Sequence, residues 1–139
     1  MRGVTFGDKH TYTTWGLYLK SPPKISSPEP KTYYVDIPGM HGEIDLSKAL
    51  TGSVKYKRRK IEMEFVIVAG REEWSALYSE ILSALHGQTQ NITLDDDPEW
   101  YYTGMVTVGD PERDKKVVTL KMTADVAPYK TNSEGAVML

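Results

Sequence analysis

The sequence contains no cysteine. This absence excludes a disulfide-bonded scaffold, a thiol nucleophile, and any zinc or iron–sulfur site with cysteine ligands. The sequence also lacks a run of about 20 apolar residues, the length that a membrane-spanning helix needs. The N-terminus has no apolar core of the kind found in signal peptides. The sequence therefore predicts a soluble, unexported chain with no membrane contact.

Excess charge of either sign is small, because 17 basic and 19 acidic side chains leave a net charge of -2. A dedicated nucleic-acid or anionic-membrane binder normally carries a basic excess, so this balance argues against both. A length of 139 residues fits one domain, and 40% hydrophobic residues are typical of a globular chain. We expect a single domain at residues 1–130 and a flexible tail at 131–139, where turn and small residues dominate.

Most of the chain has the period-two pattern of β-strands. Between Lys55 and Ala69, apolar residues alternate with charged ones, and the length of this segment favours a hairpin arm that extends beyond the sheet. Other strands are predicted at 4–6, 13–19, 31–37, 43–47, 91–95, 99–108 and 115–126, the last two joined by a turn at 109–114. A proline-rich connector at 20–31 holds half of the chain's 8 prolines, and it is expected to be extended.

One segment has a helical period instead. Apolar residues recur at helical spacing between 71 and 86, with Glu72 and Glu73 expected in the first turn and Gly87 as the stop. The apolar positions are Trp74, Leu77, Tyr78, Ile81, Leu82 and Leu85. Burying six such side chains, at about 1.5–3 kcal/mol each, predicts that this helix packs on a sheet. The chain is therefore predicted to be mainly β with one amphipathic helix.

A histidine between two glycines, in "PGMHG", is the first candidate for a chemical site. A metal site built from Asp36, His41, Glu43 and Asp45 would have only one histidine, and zinc or iron sites normally use more or show convergent ligands. The glycines at 39 and 42 instead supply the positive φ of a tight connection. We favour a turn between two strands.

Other polar clusters also have turn or capping explanations. His86 suits a helix C-terminus, and His10 lies in a polar turn and receives no role. The acids Asp95, Asp96, Asp97 and Glu99 lack the spacing of an EF-hand and are best explained as a solvated turn. A hydrolase that uses Asp95, Asp97 or His41 has no convergent motif.

Aromatic residues and one basic cluster are candidates for binding. The chain has 9 tyrosines and 3 tryptophans against 2 phenylalanines, and the densest group is Trp100, Tyr101 and Tyr102. Such residues suit protein interfaces or a sugar-stacking platform, and we favour interface and edge-of-core packing. The basic stretch 55–60 is either a solvated strand or a contact for phosphates or an acidic partner.

Taken in order, these segments resemble the N-terminal domain of the distal tail proteins of long-tailed phages and prophages of Gram-positive bacteria. The resemblance is carried by "GVTFGDKHTYTTWGLYL", "VDIPGMHGEIDLS", "YKRRKIEMEF", "ALHGQ", "LDDDPEWYYTGMV" and "VAPYK". It implies an antiparallel β-sandwich or partly open barrel with one helix packed on it and long hairpin arms.

The resemblance also implies a structural protein of the virion tail, assembled in the host cytoplasm as a hexameric ring. Such a ring joins the tail tube to the tail-tip, baseplate and receptor-binding proteins, and DNA passes through its lumen only as cargo. No catalytic residue, metal or cofactor is implied. Our candidates for the subunit interface are Tyr56, Lys57, Arg58 and Arg59, with the turn residues Pro38, Gly39 and Gly42. The alternative function is a small carbohydrate-binding module of a tail tip that uses the surface aromatics.

The turn interpretation of "PGMHG" predicts different outcomes for two neighbouring substitutions. His41→Ala should leave folding intact because the histidine has no role in a turn. Gly42→Val should impair folding or assembly because valine rarely adopts positive φ. Thermal unfolding of both variants checks this, and a destabilised His41→Ala beside an unaffected Gly42→Val would contradict it.

Overall fold

The computed structural model describes residues 3–32, 34–36, 38–39, 42–45, 55–67, 73–113 and 117–139. These residues form two helices and twelve strands. The helices are α1 (Thr11–Trp15) and α2 (Trp74–Leu85). The strands are β1 (Val4–Phe6), β2 (Lys9–His10), β3 (Leu17–Leu19), β4 (Lys24–Ile25), β5 (Tyr34–Asp36), β6 (Glu43–Asp45), β7 (Arg59–Ile67), β8 (Thr89–Leu94), β9 (Trp100–Arg113), β10 (Val118–Val126), β11 (Lys130–Asn132) and β12 (Val137–Met138).

One antiparallel sheet dominates the fold, with the strand order β2-β1-β8-β9-β10-β7-β3. β4 adds to the same edge of β7 as β3, β11 pairs with both β9 and β12, and β5 and β6 form a separate hairpin. The sheet is not closed into a barrel. The predicted fold class, mainly antiparallel β with one main helix, is confirmed.

The alternation predicted for the 55–69 segment is confirmed in β7. Ile61, Met63 and Phe65 are buried on the core side, while Lys60 and Glu62 are exposed. The strand does not extend beyond the sheet as an arm, because all nine of its residues pair with β10. The longest hairpin is instead the one formed by β9 and β10.

Helix α2 lies against the core, as its period predicts. Ile81 and Leu85 are buried, and the other apolar positions of the stripe are half-buried against the same cluster. The helix ends at Leu85, just before Gly87, which has a φ of 74°. Glu73 precedes the helix as its N-cap without a capping hydrogen bond, so the predicted favourable acid in the first turn was wrong for this residue; Glu72 lies outside the described residues.

The predicted strand at 13–19 is only partly correct, because its first half belongs to α1. The imidazole Nδ1 of His10 accepts a hydrogen bond from the backbone N–H of Tyr12 and so caps the first turn. Gly16, with a φ of 70°, ends the helix after five residues. This local capping overrides the β-branched and aromatic composition of the segment.

The turn predicted at 109–114 is wrong for residues 109–113, because β9 continues to Arg113; residue 114 lies outside the described residues. A register shift between Leu120 and Met122 places Gly109 and Asp110 opposite the single residue Lys121. This β-bulge absorbs one extra residue and lets Pro111 remain within a strand.

The connector at 20–31 contributes β4 to the edge of β7. Residues 130–138, most of the predicted flexible tail, form the β11–β12 hairpin on β9; the mobility of this tail stays a prediction. Within the described part of the chain, neither helix has the length and apolar character required to cross a membrane.

The two longest strands approach each other very closely at Gly104. A Cβ atom at this position would overlap the carbonyl oxygen of Asp125 and the Cα atom of Val126 on β10. Both neighbours are backbone atoms in the centre of a sheet, so neither can move without breaking the β9–β10 pairing. Only glycine fits here.

Gly104→Ala should therefore lower the free energy of unfolding by about 3 kcal/mol or more, the upper range for overpacked cores. Thr107→Ala is the matched control, because this side chain is exposed on the same strand, and its effect should be below about 1 kcal/mol. Urea unfolding of the three proteins measures both. Equal stability of Gly104→Ala and the unsubstituted protein would contradict the close approach.

Candidate assembly surface

The basic stretch 55–60 leads into β7 and lies beside the connector. Backbone hydrogen bonds join the two segments, from Lys31 N–H to Lys55 O (2.7 Å) and from Lys57 N–H to Glu29 O (2.7 Å). Between these bonds, Pro30 is paired with Tyr56 across the two segments. The basic stretch is therefore part of an extended two-segment edge rather than a free arm.

Arg59 joins three parts of the chain. Its guanidinium donates to the carbonyl oxygens of Ser26 (2.9 Å) and Pro128 (3.1 Å). The same group lies 5.7 Å from the ring centroid of Tyr102, a residue with only 5% exposure. Cation–π contacts of this kind stabilise a structure most where the cation is shielded from water. Arg59 therefore stabilises the fold by joining these segments, and it is also a candidate interface residue.

Lys57 and Arg58 are more accessible. Lys57 lies 3.6 Å from a carboxylate oxygen of Glu29, and its side chain is 56% exposed. Arg58 lies 3.4 Å from the carboxylate of Asp125, is also 56% exposed, and donates to the Asp125 carbonyl oxygen (3.0 Å). Exposed pairs contribute about 0–1 kcal/mol, so these cations can exchange their partners at low cost.

Tyr56 completes this surface with an aromatic contact. Its ring meets that of Tyr129 edge to face, with centroids 6.3 Å apart and an interplanar angle of 82°. Tyr129 remains 39% exposed. The pair adds an accessible aromatic group near Arg58, and both tyrosine and arginine are enriched at protein interfaces. We call residues 55–59 together with Tyr129 the basic surface.

The turn between β5 and β6 has the backbone conformation that its sequence predicts. Gly39 and Gly42 have φ values of 88° and 78°, and Pro38, Gly39 and Gly42 are exposed. His41 lies outside the described residues, as do Ile37 and Met40. Within the described ranges, no three histidine, aspartate or glutamate side chains come together as a metal site.

The three consecutive aromatics of β9 do not form one platform. Successive side chains of a strand point to opposite faces, so Tyr101 is directed away from the side shared by Trp100 and Tyr102. Tyr102 is buried. The ammonium group of Lys130 lies 5.5 Å from the ring centroid of Trp100 and occupies one side of it. This geometry does not favour a sugar-stacking surface.

The acidic turn after β8 has structural contacts that the sequence did not reveal. Asp95 accepts hydrogen bonds from the backbone N–H of Gly3 (2.9 Å) and from Nε2 of His10 (3.0 Å). Since Nδ1 of His10 accepts from Tyr12, its Nε2 carries the proton given to Asp95. Asp97 binds the ammonium group of Lys130 at 2.6 Å. These carboxylates link the turn to the N-terminal and C-terminal segments.

His86 also has a structural contact. It follows α2, as predicted, and its Nδ1 accepts the backbone N–H of Val108 (3.1 Å). Neither histidine contact has a local sequence signal, because His10 and Asp95 are separated by 85 residues and His86 and Val108 by 22.

A comparison with models of known protein families identifies the family of this chain. A family model described as the phage tail protein RIFT-related domain of siphovirus tails matches residues 10–125. This match covers more than half of the chain, and the chain therefore belongs to this family of phage tail proteins. It is a structural protein of the virion tail.

A solved structure supports the same assignment. The chain is similar to the Dit protein of phage SPP1, with a TM-score of 0.67 and 14% sequence identity over 95% of this chain and 52% of that chain. That protein is described as a paradigm of the hub adsorption apparatus in phages that infect Gram-positive bacteria. At this identity the likeness shows the fold, and the chain spans about half the length of SPP1 Dit. The predicted resemblance to distal tail proteins is confirmed. Comparison with curated proteins gives no match.

The contacts of His10 generate a stability prediction. His10→Ala removes both the cap of α1 and the link to Asp95, so the free energy of unfolding should fall by about 1–3 kcal/mol. Thr14→Ala is the control, because this helix residue is exposed and should change stability by less than about 0.5 kcal/mol. Thermal or urea unfolding gives both values, and equal effects of the two substitutions would contradict the capping role.

Proposed function

We propose that copies of this chain assemble into a ring, expected to be a hexamer, that acts as the hub between the tail tube and the tail-tip or baseplate proteins. Assembly takes place in the host cytoplasm, and DNA passes through the lumen as cargo. The proposed role involves no catalysis, cofactor or membrane. The observation that carries the proposal is the match of the phage tail family model to residues 10–125.

The basic surface supports this proposal because a ring of identical subunits needs two different surfaces that fit each other. Lys57 and Arg58 are more than half exposed and form only weak ion pairs within the chain. A neighbouring subunit that offers carboxylates can replace those partners. Tyr129 adds apolar area at the same place. The exposed turn with Pro38, Gly39 and Gly42 is the second candidate contact.

The overall charge also suits passing DNA. A lumen with many basic groups would hold phosphates, since each phosphate contact strengthens binding in a salt-dependent way. A net charge of -2 gives the subunit no general attraction for DNA. We do not propose the carbohydrate-binding alternative, because Trp100, Tyr101 and Tyr102 do not share one accessible face.

Ring formation and the basic surface are tested together with two matched charge reversals. Lys57 and Lys121 are both exposed (56% and 60%), and each forms a long pair with one glutamate, Glu29 at 3.6 Å and Glu112 at 3.9 Å. Lys57→Glu should raise the protein concentration needed for ring assembly by roughly tenfold, because like charges at an interface repel. Lys121→Glu should leave assembly unchanged.

Light scattering across a concentration series, with negative-stain imaging, measures the assembly of all three proteins. Circular dichroism confirms that the variants fold. A strict monomer at every concentration, alone and with tail-tube and tail-tip proteins, would overturn the ring. A ring that tolerates Lys57→Glu as well as Lys121→Glu would instead reject the basic surface as its interface.

A further inference from the structure

The connector, residues 20–31, is attached to β7 and the preceding residues mainly through backbone groups. Strand β4 of the connector pairs with β7, Lys24 with Glu62 and Ile25 with Ile61. Outside this pairing, hydrogen bonds run from Lys20 N–H to Glu64 O (2.9 Å), Ser26 N–H to Lys60 O (2.9 Å), Lys60 N–H to Ser26 Oγ (2.8 Å), Lys57 N–H to Glu29 O (2.7 Å) and Lys31 N–H to Lys55 O (2.7 Å). They cover the edge of β7 that does not face β10.

The connector contributes almost nothing to the hydrophobic core. All of its side chains are exposed or half-buried, and its one large aliphatic residue, Ile25, is 39% exposed. A cleft of about 350 Å³ is lined by Ser21, Pro22 and Lys24 of the connector together with residues of β7 and β10. Packing against the sheet is therefore incomplete, and no buried apolar anchor holds this segment in place.

β7, the strand with which the connector pairs, is held in the sheet by other contacts. All nine residues of β7 pair with β10, and the core side chains of β7 pack into the buried cluster. Removal of the connector would break edge hydrogen bonds without exposing this core. Segments with few buried apolar contacts open at lower free energy than the rest of a protein.

The side chain of Arg59 joins the middle of the connector to two other parts of the chain. Its Nε donates to the carbonyl oxygen of Ser26, while another guanidinium nitrogen donates to Pro128 and the group lies over Tyr102. The neighbouring Arg58 contacts Asp125 instead. Two adjacent arginines therefore differ in whether they hold the connector.

We propose that the connector is a displaceable cover that detaches from β7 as a unit while the rest of the fold stays intact, and that Arg59 controls its release. Detachment frees the edge backbone groups of β7 and of residues 55–57 that now bind the connector. The four prolines keep the released segment stiff and extended, which favours its return. The inference rests on contacts within one chain and does not require the ring.

Hydrogen exchange of the unsubstituted protein, read by NMR, is the first test. The amides of Lys20, Ser26, Lys31, Lys57 and Lys60 report the attached connector. We expect them to exchange at least about 100-fold faster than the amides of the β7–β10 ladder, and at similar rates to one another, because one local opening exposes them together. Exchange of all five at the slow rate of the ladder would overturn the proposal.

The second test compares Arg59→Gln with Arg58→Gln as its matched control. Arg59→Gln should speed the exchange of the five amides that report the attached connector by roughly tenfold, which is the effect of losing one charged hydrogen bond. The central β10 amides should be unchanged. Arg58→Gln should leave the connector amides unchanged. An equal effect of both substitutions, or an effect of Arg59→Gln on connector and ladder alike, would overturn the role of Arg59.

Trypsin digestion of the unsubstituted protein keeps the proposal testable if Arg59→Gln does not fold. Cleavage after Lys24 under native conditions, with the remainder of the chain intact and still folded, is the expected result. Cleavage that appears only together with global unfolding would contradict an independent opening of the connector.

Discussion

The ladder between β7 and β10 is the constraint on which the rest of the molecule depends. It pairs nine residues of each strand without a break and brings most of the buried residues of both strands to one side. β9 adds to the far edge of β10, and the helix α2 packs over the resulting core. The connector, the basic surface and the C-terminal hairpin are attached around this unit by polar contacts.

Elements whose pattern reflects burial could be predicted from the sequence. The stripe of α2 and the alternation of β7 follow directly from which side chains face the core, so both were found. Helix α1 was missed because its cap, His10, is positioned by Asp95, 85 residues away. The prediction of a turn at 109–113 was wrong because a bulge opposite Lys121 carries the strand past Gly109 and Pro111, and composition alone gives no sign of such a bulge.

The contacts of the candidate surface could not be predicted from the sequence, because the partners are far apart along the chain. The basic stretch and its aromatic neighbour could be recognised as unusual. Their partners could not, since Arg59 and Pro128 are 69 residues apart and meet only through the register of the sheet. The sequence favoured interface or edge-of-core packing for Trp100, Tyr101 and Tyr102 over a sugar-stacking platform, and strand geometry divides these side chains between two faces.

The prolines of the connector have a consequence for how such subunits meet. Glu29 and Lys31 direct their backbone groups toward the 55–57 segment, so strand alternation turns the backbone of Pro30 outward, where it has no N–H to offer. This missing donor disfavours the addition of a second sheet along this margin while the connector is seated. In the proposed ring, association at this margin would therefore depend on side-chain recognition.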